Sequence, residues 1–418
     1  MKNKNIIATA LAGLMALPVM AGETSEPTAG ELLQGINMFT PEEGDPAYKI
    51  KAHERYGTEW YVDAAYAYWQ PHKAISGTNL HNHFFLLHAA LNQRLIQDDV
   101  NGGTWLRAEL SGSWALDGRS AKKSSLFADG FGSVSYPHFD IYGTADAVLP
   151  ELAIMHYFNN KRSCIIGGMV NLYNYFDCVS IANDSFTSFA NGAFINTTIV
   201  PLTDANLGVV YQQELTPADY VMGAISRTDS TYRSNPFKWN DGHGYVLVGE
   251  WGHTFADGDA TFADGDATFR LTPFYQSIDN EDEADDRNWG VAASIEYTLC
   301  EACTVYARTG IARYDELGNS AELSAGAHLK LIPSREDDFL GISYGIFKGA
   351  RNNDTAPAYI DEENGRPGHK LEQVVELVYN LQINDYLCIM PHYQFIQNPA
   401  YRSASSESIW GVQSVFSF

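Results

Sequence analysis

The sequence predicts an all-β fold, a transmembrane antiparallel β-barrel of about sixteen strands with short periplasmic turns on one rim and long external loops on the other. Three observations predict it. From residue 58 onward the chain falls into short runs in which apolar and polar residues alternate. The connections between those runs are alternately short and long. The last run is amphipathic and ends on an aromatic residue, Phe418.

Composition narrows the class before any motif is read. The formal net charge is −24, hydrophobic residues make up 45%, aromatics 13% and charged residues 19%. That much apolar and aromatic content excludes a disordered chain. So acidic a balance lacks the basic face that nucleic-acid binding needs.

Residues 1–21 read MKNKNIIATALAGLMALPVMA, with Lys2 and Lys4 ahead of an apolar stretch and then Val19-Met20-Ala21. This is the pattern of a secretory signal cleaved near Ala21. The apolar run is shorter than the roughly 18 residues a membrane-spanning helix needs. No later stretch is long and apolar enough for such a helix, so a mature form in a membrane must cross it with strands. Residues 22–57 are polar and read as a flexible lead with one helical turn near Glu31–Gln34.

The barrel is expected over residues 58–418. Its runs fall at 58–69, 84–95, 104–114, 151–158, 163–170, 205–214, 218–227 and 244–254, then at 267–277, 288–299, 303–313, 321–331, 338–347, 370–382, 386–396 and 408–418. Residues 139–147 offer one further weak run. Gaps after even-numbered runs are mostly short (159–162, 215–217, 383–385), and gaps after odd-numbered runs mostly long (115–150, 171–204, 348–369). A secreted soluble β-sandwich has no reason to keep that parity, whereas an outer-membrane barrel does. The tandem FADGDAT copies at 255–268 interrupt it and read as a duplication in a tolerant periplasmic turn. Their aspartates match no EF-hand or nonapeptide calcium spacing.

The faces separate cleanly in the last runs. Leu371, Val375, Leu377, Tyr379 and Leu381 oppose Glu372, Glu376, Asn380 and Gln382, and Trp410, Val412, Phe416 and Phe418 oppose Gly411, Gln413 and Ser417. Apolar faces turned to lipid leave the polar faces to line a lumen. The alternation nominates Asp63, Arg107, Glu109, Glu151, Glu250, Arg270, Glu296, Arg308, His328 and Lys330 for that lumen. The cluster Trp60, Tyr61, Tyr66, Tyr68 and Trp69 fits an interfacial aromatic girdle. A terminal Phe418 on the lipid face fits the signal that barrel-assembly machinery reads.

Five cysteines, at 164, 178, 300, 303 and 388, leave one over if they pair, and Cys300-Glu-Ala-Cys303 reads first as a staple across a short turn. No nucleophile motif, metal motif or phosphate loop is present, so no catalytic residue, metal or cofactor is expected. Glu372 and Glu376 lie about 13 Å apart along a strand, too far for a glycosidase pair.

Several segments are similar to one family. The stretch GGMVNLYNYFDCVSIANDSFTSFANGAFINTTIVP carries Phe176-Asp177, Ile181-Ala182-Asn183 and Asn191-Gly192-Ala193-Phe194. It is followed in order by NWGVAASIEYTL, VYARTGIARY and SREDDFLGISYG. Last comes EQVVELVYNLQINDYLCIMPHYQFIQNPA, with Glu372, Glu376, Pro391, Gln394, Asn398 and Pro399. Over roughly residues 100–418 the chain resembles the carbohydrate-selective porins of the OprB type. The resemblance implies a sixteen-stranded outer-membrane channel that passes sugars by diffusion past a polar constriction. The arginine-rich constriction of some relatives does not map onto this chain residue by residue.

Sugars are uncharged and rich in hydroxyls, so guanidinium donors and carboxylate acceptors suit them. The expected constriction residues are Arg107, Glu109, Glu250, Arg270, Arg308 and Glu376 from the wall. Asp177 and Asn183 join them from the long 171–204 segment folding inward. The acidic run at 279–286 reads as solvated or bridging surface lipid. Expected partners are permeating sugars, outer-membrane lipid and the assembly machinery, as a monomer or a trimer. A porin for other solutes, and a barrel adhesin or enzyme using its long loops, remain as alternatives.

Overall fold

A computed structural model describes residues 46–72, 82–116, 137–140, 147–228, 244–255, 267–277, 287–313, 319–349, 360–361, 366–367, 371–399 and 406–418. The signal segment, the helical turn expected near Glu31–Gln34, most of the FADGDAT repeat and the acidic run lie outside them.

Sixteen strands close into one antiparallel barrel. They are β1 Thr58–Pro71, β2 Asn82–Ile96, β3 Thr104–Ala115, β4 Ala147–Phe158, β5 Ser163–Val170, β6 Asn206–Glu214, β7 Asp219–Arg227 and β8 Tyr245–Phe255. The second half is β9 Ala267–Ser277, β10 Arg287–Cys300, β11 Cys303–Ala312, β12 Asn319–Leu329, β13 Phe339–Gly349, β14 Leu371–Asn384, β15 Leu387–Gln397 and β16 Ser406–Ser417. Every expected run is a strand; of the weak run at 139–147 the described residues are 139–140, in a turn, and Ala147, which begins β4. Each strand pairs with its sequence neighbours, and β16 returns to β1 in a register from Asp63↔Ser417 to Pro71↔Ile409. Val62 and Phe418 exchange both backbone hydrogen bonds, which seals the seam at its periplasmic end. No sheet edge is left for lipid to meet. A two-residue ribbon, Ile360–Asp361 with Arg366–Pro367, stands apart from the barrel.

Three mid-strand prolines sit where a ladder is interrupted. At Pro150 the β3–β4 register shifts between Glu109 and Ser111. At Pro273 the β8–β9 pairing jumps from Val248↔Phe274 to Trp251↔Leu271. At Pro391 the β14–β15 pairing jumps from Val378↔His392 to Leu381↔Ile389. Proline has no N–H to donate, so a closed sheet tolerates it only at such gaps.

The faces divide as the alternation requires. Leu271, Ile311, Leu323, Ile342 and Leu377 are exposed on the outer wall, while Gln276, Glu372, Gln394 and Gln413 are fully buried inside. Aromatic residues band both ends of the outer wall. Trp60, Tyr211, Trp251 and Tyr297 lie toward the short turns, and Tyr66, Tyr245, Trp289 and Trp410 lie toward the long loops. Two members expected in that girdle, Tyr61 and Trp69, have the opposite parity and point inward, Trp69 being completely buried. Lys330 is likewise no lumen residue: β12 ends at Leu329, and Lys330 is exposed in the turn beyond it.

The end of the expected flexible lead is ordered. Ala47–Tyr56 forms helix α1, which Gly57 stops with φ 61° and a backbone N–H to His53 O. A Cβ at Gly57 would collide with the Arg94 side chain. All five cysteines are free thiols, so the expected Cys300–Cys303 staple is not formed. The backbone ladder already closes that hairpin by pairing Cys300 with Cys303.

The two-faced wall has a measurable consequence. Replacing Leu271, at mid-height on the lipid side, by Arg lowers the unfolding free energy in lipid by about 2–4 kcal/mol. The same change at Leu299, beside the short turn, costs about 0–1 kcal/mol. Equal losses at the two depths would contradict the assigned membrane face.

Candidate functional site

Residues 171–205, between β5 and β6, do not stay outside. They enter the lumen as an inner segment carrying a single 3₁₀ turn, Leu172–Asn174, and a short helix α2, Gly192–Ile195. The segment is rich in Phe and Ile, so it binds both sides of the barrel by apolar contact. Val179, Ala182, Phe186, Phe189, Ala193 and Phe194 join a buried cluster with β1, β2, β11 and β13–β16. Leu172, Tyr175, Phe176, Ile199, Val200 and Leu202 join a second cluster with β4–β10. Each fully buried phenylalanine contributes about 1.5–3 kcal/mol.

A segment without a neighbouring strand must satisfy its backbone N–H groups some other way. Wall glutamates supply the acceptors. Glu250 accepts from Asp177 N (2.7 Å), Glu296 from Ser180 N (2.6 Å) and Glu322 from Thr198 N (2.8 Å). Glu376 accepts from Ala190 N and Asn191 N together, at 3.1 and 3.0 Å. Glu109 takes the side chains of Asn171 and Asn174, and Glu151 takes Asn174 and Tyr175. These six come from β3, β4, β8, β10, β12 and β14, so the segment is held around much of the circumference.

Arg308 performs the opposite task. Its guanidinium, 1% exposed, donates to the carbonyls of Phe194 (2.7 Å) and Ala182 (2.8 Å) and pairs with Asp177 at 2.7 Å. Asp177 in turn accepts from Thr197 N, tying the two halves of the segment together. Asp177 itself adopts φ 55°, a left-handed conformation rare for residues other than glycine.

Below this ceiling a cavity of about 770 Å³ opens toward the short-turn rim. Tyr61, Asp63, His88 and Arg107 line it from β1–β3, and Arg270 from β9 on the opposite side of the barrel. Asn174, Cys178, Ser180, Asn183, Asp184 and Thr187 form its roof. Arg107 donates to Glu151 at 2.8 Å, and His88 pairs with Glu109. Arg270 differs. It is 5% exposed, yet its Nε and Nη1 have no acceptor among the described residues. Ser294, directly across the β9–β10 ladder from it, is equally buried and its hydroxyl has no partner either. Both oxygens of the neighbouring Glu250 and Glu296 are already taken by Tyr220, Thr272, Asp177 and Ser180. Tyr220 reaches Glu250 because Gly252 leaves room for its ring, where any side chain would clash.

The eight residues expected at a constriction therefore separate into two groups. Arg107, Asn183 and Arg270 line the cavity. Glu109, Asp177, Glu250, Arg308 and Glu376 are buried beneath or within the inner segment and hold it in place. Three further residues belong to this site beyond the eight: Glu322, which shares the inward parity of Ser324 and His328 on β12, and Tyr61 and His88, whose alternation also points inward.

The family model described as carbohydrate-selective porin, OprB family, matches residues 115–418. OprB of Pseudomonas putida superposes with a TM-score of 0.70 at 12% identity, over 89% of this chain and 96% of that one. OmpF of Salmonella typhi gives 0.56 at 11% identity, over 86% and 97%. The outer membrane channel DcaP of Acinetobacter baumannii gives 0.54 at 11% identity over the same shares. At these identities the likeness is one of fold. No curated protein sequence matches the chain.

The anchoring of the inner segment can be tested apart from transport. Arg308→Met leaves Asp177 buried without its cation and should cost about 3–5 kcal/mol. Hydrogen exchange is expected to speed up at the amides of residues 177–196 while the barrel amides stay protected. Unchanged exchange there would remove Arg308 from the anchoring scheme.

Proposed function

The chain belongs to the carbohydrate-selective porin, OprB family, and from that premise we propose that sugars cross this outer-membrane barrel past the edge of the inner segment. The route runs beneath Asn183 and Asp184, with Tyr61, His88 and Arg107 on one wall and Arg270 on the wall opposite. The observation that carries this reading is Arg270: a buried guanidinium facing the cavity with two nitrogens that have no acceptor among the described residues. A hydroxyl-rich solute supplies acceptors for such donors, and Arg presents them in a rigid planar array. Asp63 offers a carboxylate acceptor for hydroxyl protons across the same cavity, while Asp184 lines it with its oxygens engaged by Phe186 N and Thr187 Oγ1. Glu109, Asp177, Glu250, Arg308 and Glu376 act on selectivity through the inner segment they hold, without touching the solute.

The family and the fold are those of channels, not enzymes. The finer parts of the reading are export by a signal cleaved near Ala21 and insertion by assembly machinery that reads the β16 strand ending in Phe418. Monomer and trimer are both compatible with the wall.

Single-channel recording on the refolded protein tests the proposal. Discrete conductance steps are expected, with saturable block by neutral sugars. Arg270→Ala should weaken that block about 10- to 100-fold, the worth of a hydrogen bond from a charged donor. Steps without sugar block would leave a porin for other polar solutes. Block unchanged in the variant would move the solute contact away from Arg270.

A further inference from the structure

We infer that α1 is a docking site for the anionic headgroups of phospholipids in the periplasmic leaflet, carried by Tyr48, Lys51, Arg55 and Tyr56. The inference rests on the reading of the barrel as a membrane protein and adds a lipid contact outside the lumen.

At about 100° per residue, the helix AYKIKAHERY sorts its side chains into two arcs. Lys51, Arg55, Tyr48, Ala52 and Tyr56 share one arc, and Lys49, His53 and Ile50 share the other. Exposure follows the same division except at Ala52, which is half-buried. Tyr48 and Tyr56 are 55% and 60% exposed, and Lys51 and Arg55 are exposed with them. Lys49, Ile50 and His53 are half-buried, Lys49 lining the cavity mouth and His53 pairing with Glu59 at 3.0 Å. The helix thus turns one arc to the barrel; of the other arc Tyr48 touches the wall at Trp60, while Lys51 and Arg55 have no ion-pair partner among the described residues. Glu54 is exposed on the border between the two arcs.

The position of the free arc identifies what it meets. Glu59 and Asp63 of β1 face inward, so Trp60 between them faces out, at the periplasmic end of the lipid wall. Tyr48 stacks on Trp60 with ring centroids 6.1 Å apart and an interplanar angle of 25°. The exposed arc of α1 therefore continues the outer surface of the barrel at the depth where aromatic residues meet headgroups. Two cations stand there one helical turn apart, and neither has a carboxylate partner among the described residues. Such an i, i+4 pair of like charges is unfavourable on its own and favourable beside an anion. Arg55 also lies over the Tyr56 ring at 5.2 Å, which holds its guanidinium on this side. In a chain of net charge −24, a local pair of cations bracketed by exposed tyrosines fits the phosphate and glycerol region of an anionic lipid.

The test offers the folded full-length barrel an equimolar mixture of phosphatidylglycerol and phosphatidylcholine and counts retained lipids by native mass spectrometry. The wild type should retain phosphatidylglycerol in about tenfold preference. Lys51→Glu with Arg55→Glu should abolish the preference, and Lys51→Arg with Arg55→Lys should keep it. Heat-modifiable gel mobility reports that the variants are folded, and sugar block of their current reports the porin reading separately. An unchanged preference after charge reversal, or none in the wild type, would overturn the proposal. So would soluble glycerol phosphate competing as well as the lipid, since the occupant would then be a free anion.

Discussion

A backbone N–H or C=O facing hydrocarbon has nothing to bond with, and leaving it unpaired costs several kcal/mol. That constraint governs the whole molecule. It requires β16 to return to β1 and confines Pro150, Pro273 and Pro391 to gaps in the ladders. It acts a second time inside the barrel. The inner segment has no strand beside it, so its amides bond to glutamates projecting from the wall. A carboxylate suits the task because its two oxygens can take two consecutive N–H groups, as Glu376 takes those of Ala190 and Asn191.

The division of the lumen follows from where those carboxylates are used. Glu250, Glu296, Glu322 and Glu376 are committed to the inner segment, which contains no lysine or arginine of its own. Arg308 is committed to its carbonyls. Lining the cavity are Arg270, Arg107 paired with Glu151, His88 paired with Glu109, and, from the segment itself, Asn183 and Asp184. Anchoring of the segment and lining of the cavity thus draw on the same residue types, separated by whether the inner segment covers them. An account of selectivity by counting inward charges would mix the two.

The strands and their faces were legible because a period-two pattern records directly which side meets lipid, and Leu271, Leu323 and Leu377 could not be placed otherwise. Parity alone also nominated Arg107, Glu250, Arg270 and Arg308 as inward. It could not tell which of them the inner segment would cover, since that depends on how residues 171–205 cross the lumen, and this path has no periodicity. Tyr61 and Trp69 share their residue type with Trp60, Tyr66 and Tyr68, but their alternation separates them and turns them inward. The helix α1 escaped because ten residues with a weakly amphipathic arc differ little from a polar lead, and its stop at Gly57 depends on packing against Arg94.

The central claim is that the edge of the inner segment, not the width of the barrel, sets what passes. The most direct measurement is the current through single Asn183→Cys channels while a charged thiosulfonate reagent is added. The account predicts an irreversible stepwise fall in conductance as each channel is labelled, slowed when a blocking sugar is present. Full labelling by mass with unchanged current would place the conducting path elsewhere and contradict it.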